Sequence, residues 1–284
     1  MTIPSKIVGI EIGAVSQTID ARWLMAYAGA LGEEDPRYFD TTAPGGPVAH
    51  PLFPVCYEWT AALNLRAKTL RQDLHARGVH ASHHTVIHRP PQDGDRLLTR
   101  AQVIGVRPSR SGTLVLTRFS TANRNGQPVT TTDYGSVYRG VTTEAETRAG
   151  VEPLPGPAVA AAGEPRWTAP VAVAPQTAHV YSECARIWNP IHTDLGVARA
   201  AGLPGPILHG TATLALAVSQ VIRRELGGDP LRVREITGRL AGMVPLPSRL
   251  HVRCLGREGH LIAFDAVGDG GAPVLRDGVL RGAS

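Results

Sequence analysis

Two histidines flank a loop rich in glycine and proline. His192 closes the run Asn189-Pro190-Ile191-His192, and His209 closes Gly202-Leu203-Pro204-Gly205-Pro206-Ile207-Leu208-His209, just ahead of Gly210. Histidine is the side chain whose ordinary pKa lets it both take and give a proton near neutrality, so the chemistry within reach is proton transfer. A second acid–base group normally shares that work, but the run Cys184–His192 contains no carboxylate. The nearest are Glu183 and Asp194. Glu183 and Cys184 lie four and three residues before Ile187, a spacing that shares one helix face, yet such side chains more often face solvent or core. Asp194 reads as a helix cap.

The elements that must hold these residues are written twice. Tyr27–Asp40 (YAGALGEEDPRYFD) aligns with Tyr181–Asp194 (YSECARIWNPIHTD), 154 positions on. Tyr27 meets Tyr181, Glu33 meets Ile187, Asp35 meets Asn189 and Tyr38 meets His192. Further on, Gly46–His50 meets Gly205–His209, Arg96-Leu97 meets Arg249-Leu250, Gly126–Val129 meets Gly271–Val274 and Arg139-Gly140 meets Arg281-Gly282. Five matches in one order indicate a duplication. Because His209 has His50 as its mate, in the copy without the other histidine, a structural role is expected for it.

Each copy has the same order of elements. A short strand (Ile7–Ile12; Arg166–Val173) leads to a short helix carrying the tyrosine (Ala21–Leu31; Gln176–Ala185). A Gly/Pro loop and a longer apolar helix follow (Phe53–Leu74; Thr211–Leu226). The second of these stops at Gly227-Gly228. Three alternating segments come after each long helix, at 96–109, 112–124 and 128–140, then at 249–259, 260–268 and 272–282. Asn125-Gly126 and Gly270-Gly271 are their hairpin turns. The expectation is an α+β protein with an antiparallel sheet wrapped around a helix, twice over: residues 1–143 as one half, 144–165 as a linker and 166–284 as the other half.

Composition narrows the function. The 284 residues are 43% hydrophobic and 19% charged, with net charge +5. The positive residues are scattered arginines beside only Lys6 and Lys68, with no basic tract that would suit nucleic acid. Cys56, Cys184 and Cys254 lack the spacing of a zinc site or a disulfide framework, which fits a reducing cytoplasm. No apolar run is long enough for a signal peptide or a membrane span. His80, His83, His84 and His88 cluster, but no Cys, Asp or Glu joins them at ligand spacing, so no metal is expected.

Together, Asn189–His192, Gly202–Gly210 and the doubled architecture resemble the MaoC-like, R-specific enoyl-CoA hydratases and dehydratases of the double hot-dog fold. The resemblance spans nearly the whole chain and is strongest over Tyr181–Val218. The family signature carries Gly-Asp two residues ahead of the asparagine; here those places hold Arg186 and Ile187. The resemblance implies catalysis in the second half and room for an acyl chain in the first. It also implies a homodimer, and a small acyl substrate borne on CoA or a carrier protein, with no separate cofactor.

Carried over residue by residue, His192 is the acid–base group, Asn189 orients, and the Gly210 N–H is the donor to the thioester oxygen. Ile187, Trp188, Tyr181, Pro206 and His209 are the positions expected against substrate. Trp188 reads equally as a wall of the pocket or as core. Isoleucine neither accepts a proton nor holds a water, so three functions stay open. They are an acyl-thioester hydratase or dehydratase with a non-standard site, a repurposed enzyme of isomerisation, elimination or cyclisation, and a non-catalytic binding subunit.

Overall fold

The computed structural model describes residues 1–144, 148–159 and 163–283. In chain order the principal elements of the first copy are β1 (Glu11–Thr18), α1 (Ala21–Ala30), α2 (Pro54–Thr69), β2 (Gly78–Ile87), β3 (Arg96–Ser109), β4 (Gly112–Asn123) and β5 (Pro128–Arg139). Those of the second are β6 (Trp167–Val173), α3 (Thr177–Ala185), α4 (Leu195–Ala200), α5 (Gly210–Glu225), β7 (Val233–Leu240), β8 (Ser248–Glu258), β9 (Leu261–Gly268) and β10 (Pro273–Gly282).

Two compact units result. The N-terminal unit comprises Met1–Thr18, Tyr57–Arg89 and Arg96–Gly156; the C-terminal unit comprises Ile19–Cys56, Pro90–Asp95 and Pro157–Ser284. Within the first, antiparallel strands run in the order β1-β3-β4-β5-β2; within the second, β7-β10-β9-β8-β6. Reversed, the second order is the first with every strand replaced by its repeat mate. The duplication therefore holds in the backbone as it does in the sequence, and the architecture is the expected α+β double hot-dog.

Each unit closes its sheet over apolar helix residues. In the N-terminal unit Ala61 and Leu65, one turn apart on α2, join Ala101, Val103, Val115 and Phe119 in a buried cluster. In the C-terminal unit α5 is buried from Ala212 to Ser219 on every side, the signature of a helix enclosed by its sheet. Gly238 lets the sheet approach closely: a Cβ there would stand 3.2 Å from Leu214 Cδ1 and 3.1 Å from Leu275 Cδ1, so both leucine ends would have to give by a few tenths of an ångström.

Several boundaries differ from the sequence expectation. Ile7 closes a short 3-10 turn, and the first long strand begins only at Glu11, where pairing with β3 starts, with a register shift between Ile12 and Val15. The first long helix stops at Thr69 and gives way to a 3-10 segment, Gln72–Arg77. β2 and β7, one after each long helix, escaped the strand reading because charged and imidazole side chains interrupt their apolar alternation. The proline-rich stretch 144–165 is not wholly a linker. Arg148-Ala149 pairs with Gly105-Val106, and the Leu154 N–H donates to Asp133 Oδ2 at 2.7 Å. Residues 145–147 and 160–162 of that stretch lie outside the described residues. The compact units also interleave, since Ile19–Cys56 belongs to the C-terminal unit. Among the described residues no helix is long and apolar enough to cross a membrane.

Candidate active site

The site is built from two turns of the C-terminal unit that the repeat makes in both copies. α3 ends at Arg186, whose φ of 58° lies in the left-handed region. The Ile187 N–H then returns to the Ser182 carbonyl at 3.0 Å, closing the helix end. In the first copy Gly32 has φ 69° and the Glu33 N–H returns to the Ala28 carbonyl at 3.1 Å. Glu33 and Ile187 thus occupy equivalent places. Arginine is an unusual residue for this conformation; its guanidinium lies 4.1 Å above the Trp23 ring and 3.9 Å from Asp20 Oδ2, contacts that offset the strain.

The second turn is a 3-10 segment, Pro190–His192, which proline opens and which buries its last residue. The equivalent turn Pro36–Tyr38 buries Tyr38. In the second copy the turn delivers His192, 8% exposed. His192 Nδ1 lies 2.8 Å from the Ile207 carbonyl. A carbonyl only accepts, so the proton sits on Nδ1 and Nε2 keeps its lone pair. Ile207 is held in turn by bridge pairing with Pro245, and the next residue, Leu208, donates its N–H to the Val244 carbonyl at 2.8 Å. Burial pushes the His192 imidazole down to about 4, against the opposing pull of the Ile207 hydrogen bond, so it is neutral at pH 7.

His209 stacks on His192, with ring centroids 3.7 Å apart and planes 26° apart. Burial, and then the neighbouring His192, hold its pKa well below the ordinary value. Its Nε2 lies 3.2 Å from Ser182 Oγ, a buried serine on the inner face of α3. His209 is also the residue before α5 and makes no side-chain cap to it. The first-turn N–H groups of α5, beginning with Gly210, are therefore not taken up by a cap and carry the positive potential of the helix end. The Tyr181 hydroxyl donates to Thr211 Oγ1 at 3.0 Å, tying α3 to that first turn.

The structure brings His192, His209, Tyr181 and the start of α5 together, with Pro206 half-buried in the loop just ahead of Ile207. Ile187 is buried at 5% exposure. The Asn189 carbonyl accepts from the His192 N–H at 3.1 Å, while its side chain does not cap the turn. Trp188 is not core: it is 61% exposed, and its Nε1 reaches Glu183 Oε2 at 3.4 Å. Glu183 is thereby engaged on the surface. Asp194 caps α4, accepting from the Val197 N–H at 2.9 Å. Sequence reasoning passed over Ser182 and Thr211. The signal was available in Ser182, a polar residue on the buried stripe Ala178, Tyr181, Ser182, Ala185. Among the described residues no group of three or more His, Cys, Asp or Glu side chains is placed to hold a metal.

Fold and site together define a double hot-dog protein with a buried histidine centre in its second half. Residues 158–263 match the MaoC like domain, and residues 6–132 match the FAS1-like dehydratase domain region. The second copy thus carries a MaoC like domain and the first a FAS1-like dehydratase domain region. It is similar to a MaoC-like dehydratase from Phytophthora capsici (TM-score 0.84, 24% identity, 98% of this chain and 96% of that one). It is also similar to a conserved Mycobacterium tuberculosis protein with a double hot-dog fold (TM-score 0.61, 17% identity, 97% and 96%). Peroxisomal enoyl-CoA hydratase 2 of Arabidopsis thaliana is 46% identical over 52 residues, which are 18% of this chain and 17% of that protein.

Proposed function

We propose that this chain is an acyl-thioester hydratase or dehydratase in which His192 alone carries the proton. The observation that supports this most is the Nδ1 hydrogen bond to the Ile207 carbonyl, which leaves Nε2 as a neutral base. In dehydration, Nε2 takes the α-proton of a 3-hydroxyacyl thioester. The electron pair moves into the thioester, whose oxygen gains enolate charge and is met by the N–H at Gly210. The imidazolium then returns that proton to the β-hydroxyl as the carbon–oxygen bond breaks, releasing water and the 2-enoyl thioester. Hydration is the reverse. Atoms and charge balance with water as the only co-reactant, and the acyl carrier, CoA or a carrier protein, arrives with the substrate.

The cost of the arrangement is also clear. With Ile187 in place of a carboxylate, the position next to the imidazolium offers it no charge, and His209 stacked against it opposes the charge. Loss of one acid–base partner typically removes about 10²–10⁴-fold in rate. A second reading is supported by the burial of Ile187: an apolar side chain where a water-holding carboxylate would stand suits isomerisation or elimination by the same shuttle. Purified protein assayed with crotonyl-CoA and longer 2-enoyl-CoAs separates the two. Hydration by wild type, abolished in His192→Ala, is expected. An inert wild type in which Ile187→Asp gains hydration would favour the repurposed site.

A further inference from the structure

The hydrogen bond that holds the His192 ring is made at one atom, Nδ1, which donates to the Ile207 carbonyl at 2.8 Å. A carbonyl accepts over a broad range of directions. The torsion that turns an imidazole about its stem is broad as well. That bond alone therefore leaves the plane of the ring open, and with it the direction in which Nε2 points. The ring lying against His192 closes that freedom: His209 stacks on it, with centroids 3.7 Å apart and planes 26° from parallel.

His209 is anchored from two sides. Its carbonyl accepts from the Thr213 N–H at 2.9 Å and from the Thr213 hydroxyl at 3.1 Å, which fixes its backbone to the first turn of α5. Its Nε2 meets Ser182 Oγ on α3 at 3.2 Å, which fixes the ring. Both side chains are buried, so packing keeps water from competing for that contact.

The first copy provides the comparison. His50, the mate of His209, meets Ser219 Oγ of α5 with its Nε2 at 3.2 Å and accepts the Leu52 N–H on Nδ1 at 3.1 Å. Its ring stands 6.1 Å from that of Tyr38, the mate of His192, too far for face-to-face contact. The mate of Ser182 is Ala28, which has no hydroxyl to offer. The serine on α3 and the approach to 3.7 Å therefore occur in the copy that carries the base.

We propose that His209, held by Ser182, is the positioning residue of His192: it sets the plane of that ring and so the direction of Nε2. The role rests on the reading of His192 as the proton carrier. His209 does not act as the second acid–base group, because stacked rings turn faces rather than nitrogens toward each other. A base aimed wrongly is costly, since misplacement by about 1 Å can remove about 10²-fold in rate.

The test uses the full-length chain labelled with ¹⁵N-histidine, with the His192 resonances assigned by their loss in His192→Ala. Wild type is expected to show one neutral His192 tautomer, its proton on Nδ1 and slow to exchange. His209→Leu removes the stacked ring and is expected to mix the two tautomers and speed the exchange. His209→Phe supplies a flat ring again and is expected to restore the single tautomer. With 2-enoyl-CoA substrates, kcat is expected to fall about 10–100-fold in His209→Leu at unchanged KM, and His209→Phe should recover most of that loss. Ser182→Ala should lower kcat by about twofold to tenfold, the worth of one hydrogen bond. It carries the test by the same two readouts if His209→Leu does not fold. A purely structural His209 would lower the melting temperature alone. Unmoved His192 resonances or an undiminished kcat in folded His209→Leu, or no recovery in His209→Phe, would each overturn the proposal. An inert wild type would instead remove the hydratase reading, and the resonances would still decide whether His209 holds the ring.

Discussion

Tyr27 and Tyr181, mates in the duplicated sequence, meet hydroxyl to hydroxyl at 3.3 Å in the interior of the C-terminal unit. Each then reaches the segment that leads into or opens its own copy's long helix: Tyr27 the Leu52 carbonyl at 3.2 Å, and Tyr181 the Thr211 hydroxyl at 3.0 Å. Both are fully buried, and burial raises both phenols. The two phenols pack α1 against α3, and Tyr181 ties α3 to the start of α5.

Removing one hydroxyl takes from the other one of its two partners. Tyr181→Phe or Tyr27→Phe is expected to cost about 0.5–1.5 kcal/mol, the net worth of a hydrogen bond. The double variant should cost less than the sum of the two singles. Thermal denaturation of the three variants measures the coupling; strict additivity would show that the hydroxyls act separately.

The base form of His192 exists above its depressed pKa of about 4. The rate should accordingly be flat from about pH 5 upward and fall by half near pH 4 if this group alone carries the proton. Short assays across that range would detect it. A rate tracking a group near 6.5 would point to a different base.

Restoring an acidic partner should raise water chemistry. Ile187→Asp is expected to increase hydration of 2-enoyl-CoAs by about 10²-fold or more, while lowering stability by about 1–3 kcal/mol through burial of a polar group at a site now 5% exposed. Steady-state kinetics and melting temperature read the two effects separately.

Arg186 sits in a left-handed conformation and stacks on Trp23. Arg186→Ala keeps the strain and loses the stacking, so it should be less stable than wild type. Arg186→Gly loses the stacking but relieves the strain, and should exceed Arg186→Ala by about 1 kcal/mol. Equal melting temperatures for the two variants would show that the backbone there is relaxed.

Acid should destabilise the fold through its buried imidazoles. His50 and His192 are held down to about 4 and His80 to about 3, each chiefly by burial, against about 6.5 in the unfolded chain. Below 6.5 the unfolded chain takes up protons that the folded one refuses. This stability is therefore complete above pH 6.5 and lost as pH falls toward 4, by about 1.4 kcal/mol per pH unit for each histidine. Glu58, raised to about 8, works in the opposite direction between about 4.5 and 8 and cancels one of them. Melting temperatures between pH 6.5 and 4.5 should fall, and less steeply in His50→Gln.

The doubled architecture was legible in the sequence because turn residues and apolar alternation recur in register, down to the hairpin glycine Gly126 at φ 79°. His192, with the start of α5, was legible because Asn-Pro-Ile-His and the Gly/Pro loop are local patterns. What the sequence could not display is who meets whom across distance. Nothing local predicts that His209 stacks on His192, that Ser182 reaches His209, or that a one-residue slip turns His80 toward His83. Trp188 shows the opposite failure: a bulky residue inside a motif looks like pocket or core, yet the tight turn carries it into solvent.

Because Ile19–Cys56 belongs to the C-terminal unit, the two copies are no longer exchangeable parts. The copy that kept the histidine depends for its interior on Tyr27, and for an ion pair to the exposed Arg223 on the buried Glu33, 2.8 Å away; both are borrowed from the copy that lost it. A split at the proline-rich stretch would deprive the second half of those groups. Once one copy has taken on the other's scaffolding, neither can be discarded, and the duplication has become irreversible.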